Sequence, residues 1–202
     1  MTLQQITSIA AKLAIMLMVL SFLLAVLAHI MRRELDPAAT PFSAYLSGTS
    51  RHVGLACYAC LVAGIAAFAL ATLSRPGLDV GLSAVSTLYL LSIAFVAIAA
   101  ATARADLPLA HVDNPRARWW HRKSAFLAFL FAITAIVLHT WLWRNEEFLK
   151  SAAPLLGVLV AILVALFVVL SFVSLKFKGV VQKALIVGIL VWFSWVALVM
   201  QN

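Results

Sequence analysis

The chain has 202 residues, of which 65% are hydrophobic and 11% charged, with a mean hydropathy of +1.08. Water-soluble domains carry about 25% charged residues, so this composition excludes an ordinary soluble enzyme. The net charge is +8, yet no polar domain exists to present a groove-sized basic patch, which argues against nucleic acid as a partner.

A helix crosses a bilayer in roughly 20 predominantly apolar residues, because about 30 Å of hydrocarbon is climbed at about 1.5 Å per residue. Six runs qualify: 6–31, 51–73, 79–103, 124–143, 153–175 and 180–200. Hydrocarbon offers no water to backbone groups, so each run must be helical. The expected fold is all-α: a single integral domain over residues 1–202, built as a polytopic bundle of six transmembrane helices. The first run is too long for a signal-peptide core, and no small-residue cleavage site precedes Arg32-Arg33, so it reads as a retained helix.

Between the first two runs, Asp36-Pro37 has the form of an N-cap followed by proline at the first helical position. Phe42, Tyr45 and Leu46 then fall at helical spacing before Gly48. The segment predicts a short interfacial helix with its apolar face in the head-group zone, and Thr49 or Ser50 capping the second run. Cys57 and Cys60 lie inside that run, without the electropositive surroundings that make thiols reactive, and read as small packing residues. Ser74-Arg75-Pro76-Gly77 makes a tight turn into the third run. Its hydroxyls (Ser83, Ser86, Thr87, Ser92) are expected to bond across helices.

The second long connection, 104–123, carries Asp106, His111, Asp113-Asn114-Pro115 and Trp119-Trp120-His121. Paired tryptophans beside bases mark a membrane interface, and Trp141 and Trp143 would mark the opposite end of the fourth run. A second tight turn joins the last two runs. Trp192 and Trp195, one turn apart in the final run, are expected to pack against neighbours.

The connections alternate between two sides. One side holds Lys12, Arg75, Arg144 and Lys150; the other holds the remaining eleven of the fifteen bases. Short loops rich in Lys and Arg stay cytoplasmic, so both termini are expected outside a bacterial inner membrane. The cytoplasmic rim then gathers Asp36, Arg51, His52, Asp106, His111 and His121, with Arg32, Arg33, Arg122 and Lys123 around them. Carboxylate and imidazole at helix ends can do acid–base work or bind an anionic head group, although ion-pair networks and caps look the same in sequence. No His-x-x-x-His pair is present to found a zinc site, and no metal is expected. A single b-type haem would need two axial histidines at matching depth, His29 or His52 with His121; interfacial histidines commonly occur without one. A lipid or quinone needs only an aromatic-lined cleft with a few polar groups.

Two of these loops carry a resemblance. Leu35-Asp36-Pro37, Ser43-Ala44-Tyr45 and Gly48, followed by a helix, resemble the first signature of the six-helix prokaryotic membrane proteins grouped as domain of unknown function 998. Asp106-Leu107-Pro108 and His121 look like that family's second signature. Its usual glycine one turn before the histidine gives way here to Arg118 and Trp119. The resemblance implies no activity; it implies that Asp36, Ser43, Tyr45, Asp106 and His121 are the positions to probe. Two functional classes follow. One is a non-catalytic accessory subunit of a larger membrane complex, with a rim that contacts lipid or quinone. The alternative is a membrane enzyme or single-haem redox protein using the Asp/His cluster.

Overall fold

The computed structural model describes residues 2–77, 80–103, 115–144, 146, 150, 152–172 and 176–201. They form six long helices: α1 (Leu3–Met31), α2 (Arg51–Leu73), α3 (Val80–Thr102), α4 (Pro115–Trp143), α5 (Ala153–Phe172) and α6 (Lys178–Val199). All six are long and apolar enough to cross a membrane, and no strand occurs among the described residues. The helices pack as a ring, each on its neighbours in sequence, and α6 returns to close on α1.

The ends of the helices follow local chemistry. Thr2 and Gln5 form a reciprocal capping box at the start of α1, each side chain accepting the other's backbone N–H, which satisfies donors that a helix start otherwise leaves unpaired. The fourth helix begins at Pro115, nine residues before the expected 124. Proline suits a first helical position because its missing N–H would have no partner there. Trp119 and Trp120 thus stand on helix, with exposed side chains, rather than in a loop.

One half of the bundle is solidly packed. Phe68, Tyr89, His139, Trp192 and Phe193 are fully buried against one another at ring separations of 4.7–6.0 Å. The expectation for Trp192 holds: it is buried, and its indole N–H donates to Thr140 Oγ1 at 3.0 Å. The expectation for Trp143 does not. Trp141 is exposed under the Arg144 guanidinium, but Trp143 is buried edge-on to His139 at 4.1 Å. Two residues along a helix turn about 200°, so the pair cannot share a face. Of the third-run hydroxyls, Ser92 donates across to the Ala128 carbonyl at 2.9 Å, whereas Thr87 bonds back to Ser83 in its own helix. Cys57 is buried and clasped to α1, its thiol on the Ser21 carbonyl and the Ser21 hydroxyl on its own carbonyl.

The connection 32–50 departs from expectation in a way that matters for function. Asp36 caps a turn, its carboxylate accepting the Ala38 N–H at 2.8 Å, and no interfacial helix follows. Phe42–Leu46 forms a 3-10 turn whose five residues are all buried. The apolar side chains point into the bundle and not toward head groups, because the helix ends below leave room that three large side chains fill. Gly48 then takes φ +63°, a conformation that glycine adopts without steric cost. Ser50 occupies the cap position of α2, but its hydroxyl ties back to the Tyr45 carbonyl at 2.8 Å. The loop is also fastened to α6. Val180 N–H donates to Ala38, Gln182 accepts from Phe42 N–H at 2.8 Å, and Lys183 donates to the carbonyls of Pro37 and Thr40.

Candidate functional site: an amphipathic cavity

Beneath that loop lies a cavity of about 570 Å³, bounded by α1, α2, α3, α4 and α6. Ligand sites typically measure about 300–1,000 Å³. Along α1 it runs from Ile30 to Ser21, nine residues or about 14 Å of helix, with Arg33 just beyond the helix end. Small side chains line much of it, among them Ala25, Ala99, Ala125, Ala128 and Ala132. Facing helices with small residues normally approach closely; here they leave space.

Polarity is divided along the length of this space. The deep polar groups are consumed within the protein, Ser21 on the Cys57 carbonyl and Ser92 on the Ala128 carbonyl. The rim carries His29 from the last turn of α1, Arg33 just beyond it, Ser43 from the buried turn, His121 from the second turn of α4, and Gln182 and Lys183 from the start of α6. No carboxylate lines the cavity among the described residues.

His29 is the most exactingly held of these groups. Its Nδ1 lies 2.7 Å from the Ala25 carbonyl. A carbonyl can only accept, so Nδ1 carries the proton and the lone pair of the neutral ring sits on Nε2. Nε2 is buried and has no hydrogen-bond partner among the described residues. The ring stacks on Tyr45 at 4.2 Å, and Phe42 continues the stack to Tyr58. Burial raises the Tyr45 hydroxyl above its ordinary pKa, keeping that wall neutral. His121 is fixed similarly, its Nδ1–H donating to the Ala99 carbonyl on α3 at 2.8 Å. The cavity is also open along its flank: Phe22, Val26 and Ile30 of α1 and Val187 of α6 line it while remaining 43, 43, 52 and 41% exposed.

The expected site residues separate accordingly. Ser43 and His121 line the cavity, and Tyr45 backs it through His29. Asp36 is exposed on the loop, where it caps a turn. Arg51 and His52 are exposed at the start of α2 and face away from the cavity; the buried turn occupies the inner side of that helix end. Asp106 and His111 lie outside the described residues. Arg32 turns inward, pairs with Glu34 and donates to the Ser47 carbonyl at 2.6 Å, holding the loop rather than a ligand. Glu34 is accordingly kept below the usual carboxylate range, chiefly by the hydrogen bond from Arg32. Sequence reasoning missed Gln182 and underrated His29 and Lys183. Ser21-x-x-x-Ala25-x-x-x-His29 was the available signal, a small and polar stripe at four-residue spacing in an otherwise bulky helix.

No family model matches the chain, and no curated protein or solved structure resembles it at a significant level.

Proposed function

We propose that the chain is a multi-pass protein of a bacterial inner membrane that holds a single amphiphile, lipid or quinone, as a non-catalytic accessory subunit of a larger membrane complex. The observation that carries this reading is the division of the cavity into an apolar depth whose hydroxyls are already paired and a polar rim. Its length of about 14 Å along α1 compares with about 15 Å for half of the hydrocarbon core, so it matches one leaflet, and its flank opens at apolar depth. The asymmetry of bases supports a rim on the cytoplasmic side with both termini outside. The resemblance to the domain-of-unknown-function family supports a prokaryotic membrane, and two of its signature positions, Ser43 and His121, line the cavity. The scarcity of buried surface on α1 and α5 supports docking of those faces on lipid or on other subunits.

The test is retention. Purified in mild detergent and extracted with solvent, the full chain should release about one amphiphile per molecule by mass spectrometry. Ala128→Trp, which puts an indole across the cavity, should release much less, while Val158→Trp on the exposed face of α5 should behave as wild type. Equal retention by the obstructed variant would defeat the proposal.

A second reading rests on its own observation. His29 and His121 come from different helices, line one cavity, and each has its Nδ1–H fixed by a backbone carbonyl, an orientation typical of metal-ligating imidazoles. A single b-type haem would use that pair. A Soret band in the purified chain, lost in His29→Ala, supports it; a colourless protein with a bound amphiphile removes it.

A further inference from the structure

We propose, building on the amphiphile reading, that the head group held at the rim is an anionic phosphoryl group that also offers a hydroxyl. Three rim features converge on this chemistry. Arg33, just beyond the end of α1, and Lys183, in the first turns of the adjoining α6, both line the cavity. Arg33 forms no ion pair with any described residue; Glu34 pairs with Arg32, and Asp36, whose charge reaches Lys183, accepts the Ala38 N–H and forms no salt bridge among the described residues. Lys183 gives two of its three N–H donors to the Pro37 and Thr40 carbonyls, leaving one for the cavity. Two cations with no lining carboxylate favour an anion.

The third feature is the buried Nε2 of His29, an acceptor without a donor among the described residues. A fatty-acid carboxylate satisfies cations but has no proton to give that nitrogen. An uncharged alcohol gives the proton but leaves Arg33 and Lys183 unmatched. A phosphoryl head does both: its charged oxygens accept from the two cations, and a hydroxyl donates to His29 Nε2. The hydroxyl is either the acid O–H of a phosphate monoester, whose second pKa near 6 leaves about a tenth of it protonated at neutral pH so that its binding takes up a proton, or a head-group alcohol on a phosphodiester. Below the head, the apolar depth receives one chain, and the open flank between Phe22, Ile30 and Val187 lets it enter from the side.

The full chain in maltoside micelles is titrated with dodecyl phosphate, dodecanoate and dodecanol. Dodecyl phosphate should bind at least about tenfold more tightly than dodecanol, since each base near a membrane surface contributes about fivefold toward an anion. Arg33→Gln, an exposed side chain whose loss leaves the fold intact, should remove about fivefold of that advantage, and Arg33→Gln/Lys183→Gln should remove nearly all of it with dodecanol binding unchanged. His29→Phe keeps the ring stack on Tyr45 but not the acceptor, and should bring dodecyl phosphate down to the level of dodecanoate. Equal affinity for phosphate and alcohol, or an advantage that survives the double substitution, overturns the phosphoryl assignment. If that happens while Ala128→Trp still weakens binding, the amphiphile cavity stands and only its head-group chemistry is wrong. Binding of all three probes unchanged in Ala128→Trp instead removes the cavity reading itself. Native mass spectrometry of chain drawn from its host membrane separates the two sources, a glycerophospholipid or a prenyl phosphate, by mass; a retained lipid without a phosphoryl anion contradicts the proposal.

Discussion

Gly179 offers a sharp test of how the rim is held closed. A Cβ at this position would lie 2.5 Å from the Thr40 carbonyl oxygen and 2.8 Å from that of Ala38. Close C···O contacts are about 3.3 Å, so Gly179→Ala must push the loop outward by about 0.8 Å. The Phe42 N–H···Gln182 bond, now 2.8 Å, would stretch to about 3.6 Å, beyond hydrogen-bonding range. The Val180 N–H would lose Ala38 but keep its second acceptor, Phe177, and the long Lys183 side chain can follow the loop. One full bond and part of another, at about 1 kcal/mol net each, amount to about 1–2 kcal/mol. For a chain of this length that lowers the unfolding temperature by about 2–8 °C. Thermal unfolding in a single mild detergent measures it, with Gly157→Ala as the control. A Cβ there meets nothing within 4 Å, and alanine is the better helix former, so the control should match or exceed wild type. Gly179→Ala should also lose its bound amphiphile faster. If it unfolds with wild type and retains ligand equally, the loop is not fastened by this approach and the closed rim has another cause.

Other consequences are as direct. Tyr89→Phe removes the partner of His139 Nδ1, 3.1 Å away in the buried aromatic cluster, and should cost about 1–3 kcal/mol in equilibrium unfolding in mixed micelles. Tyr89→Phe/His139→Phe should cost less than the sum of the single changes, because neither polar group is then stranded; strict additivity would show that the contact contributes nothing. For pH, the relevant group is Glu34, whose pKa is depressed below its ordinary 4.5 by Arg32. A depressed carboxylate contributes fully above its unfolded pKa and loses that contribution as pH falls through the folded value. Protease cleavage within the 32–50 loop should therefore stay flat from neutral pH down to 4.5 and rise only below it, and Glu34→Gln should abolish the rise. Cleavage that climbs just below neutrality would point to a histidine instead.

The helices were legible because hydrocarbon thickness imposes a length that composition alone reveals, and each of the six expected runs holds a described helix. The cavity was not, because it depends on where small residues face each other without touching. Ala99, Ala125 and Ala128 read equally as tight packing or as empty wall, and only the distance between helix axes decides. Phe42, Tyr45 and Leu46 were recognised as an apolar set but placed on the wrong side: spacing gives a face, and it cannot say whether that face meets lipid or protein. His52 and His121 look alike as interfacial imidazoles, yet one is exposed and the other buried. The buried turn covers the inner side of α2's first residues, while the extra turns of α4 from Pro115 place His121 inside the helix rather than at its start. Lys183 fits a snorkelling lysine by position, but carbonyls of a loop distant in sequence claim it.

The cavity's size limits what it can be. An apolar void costs about 24 cal/mol per Å³ in a relaxed protein core, so 570 Å³ left empty would cost on the order of 14 kcal/mol. That equals the whole stability of a typical domain, about 5–15 kcal/mol. Water is a poor remedy, since the deep hydroxyls are already paired and offer a water molecule almost no partners. Hydrocarbon fills such a space without penalty, and the flank at Phe22, Val26 and Ile30 opens on the apolar exterior of the bundle. The alkyl or prenyl chain of the proposed amphiphile would remove that cost. Once the chain is in place, the molecule's other end has only the rim to meet. In the proposed complex the amphiphile's orientation would thus be fixed by the two ends of the cavity together, the tail by volume and the head by Arg33, Lys183 and the lone pair of His29.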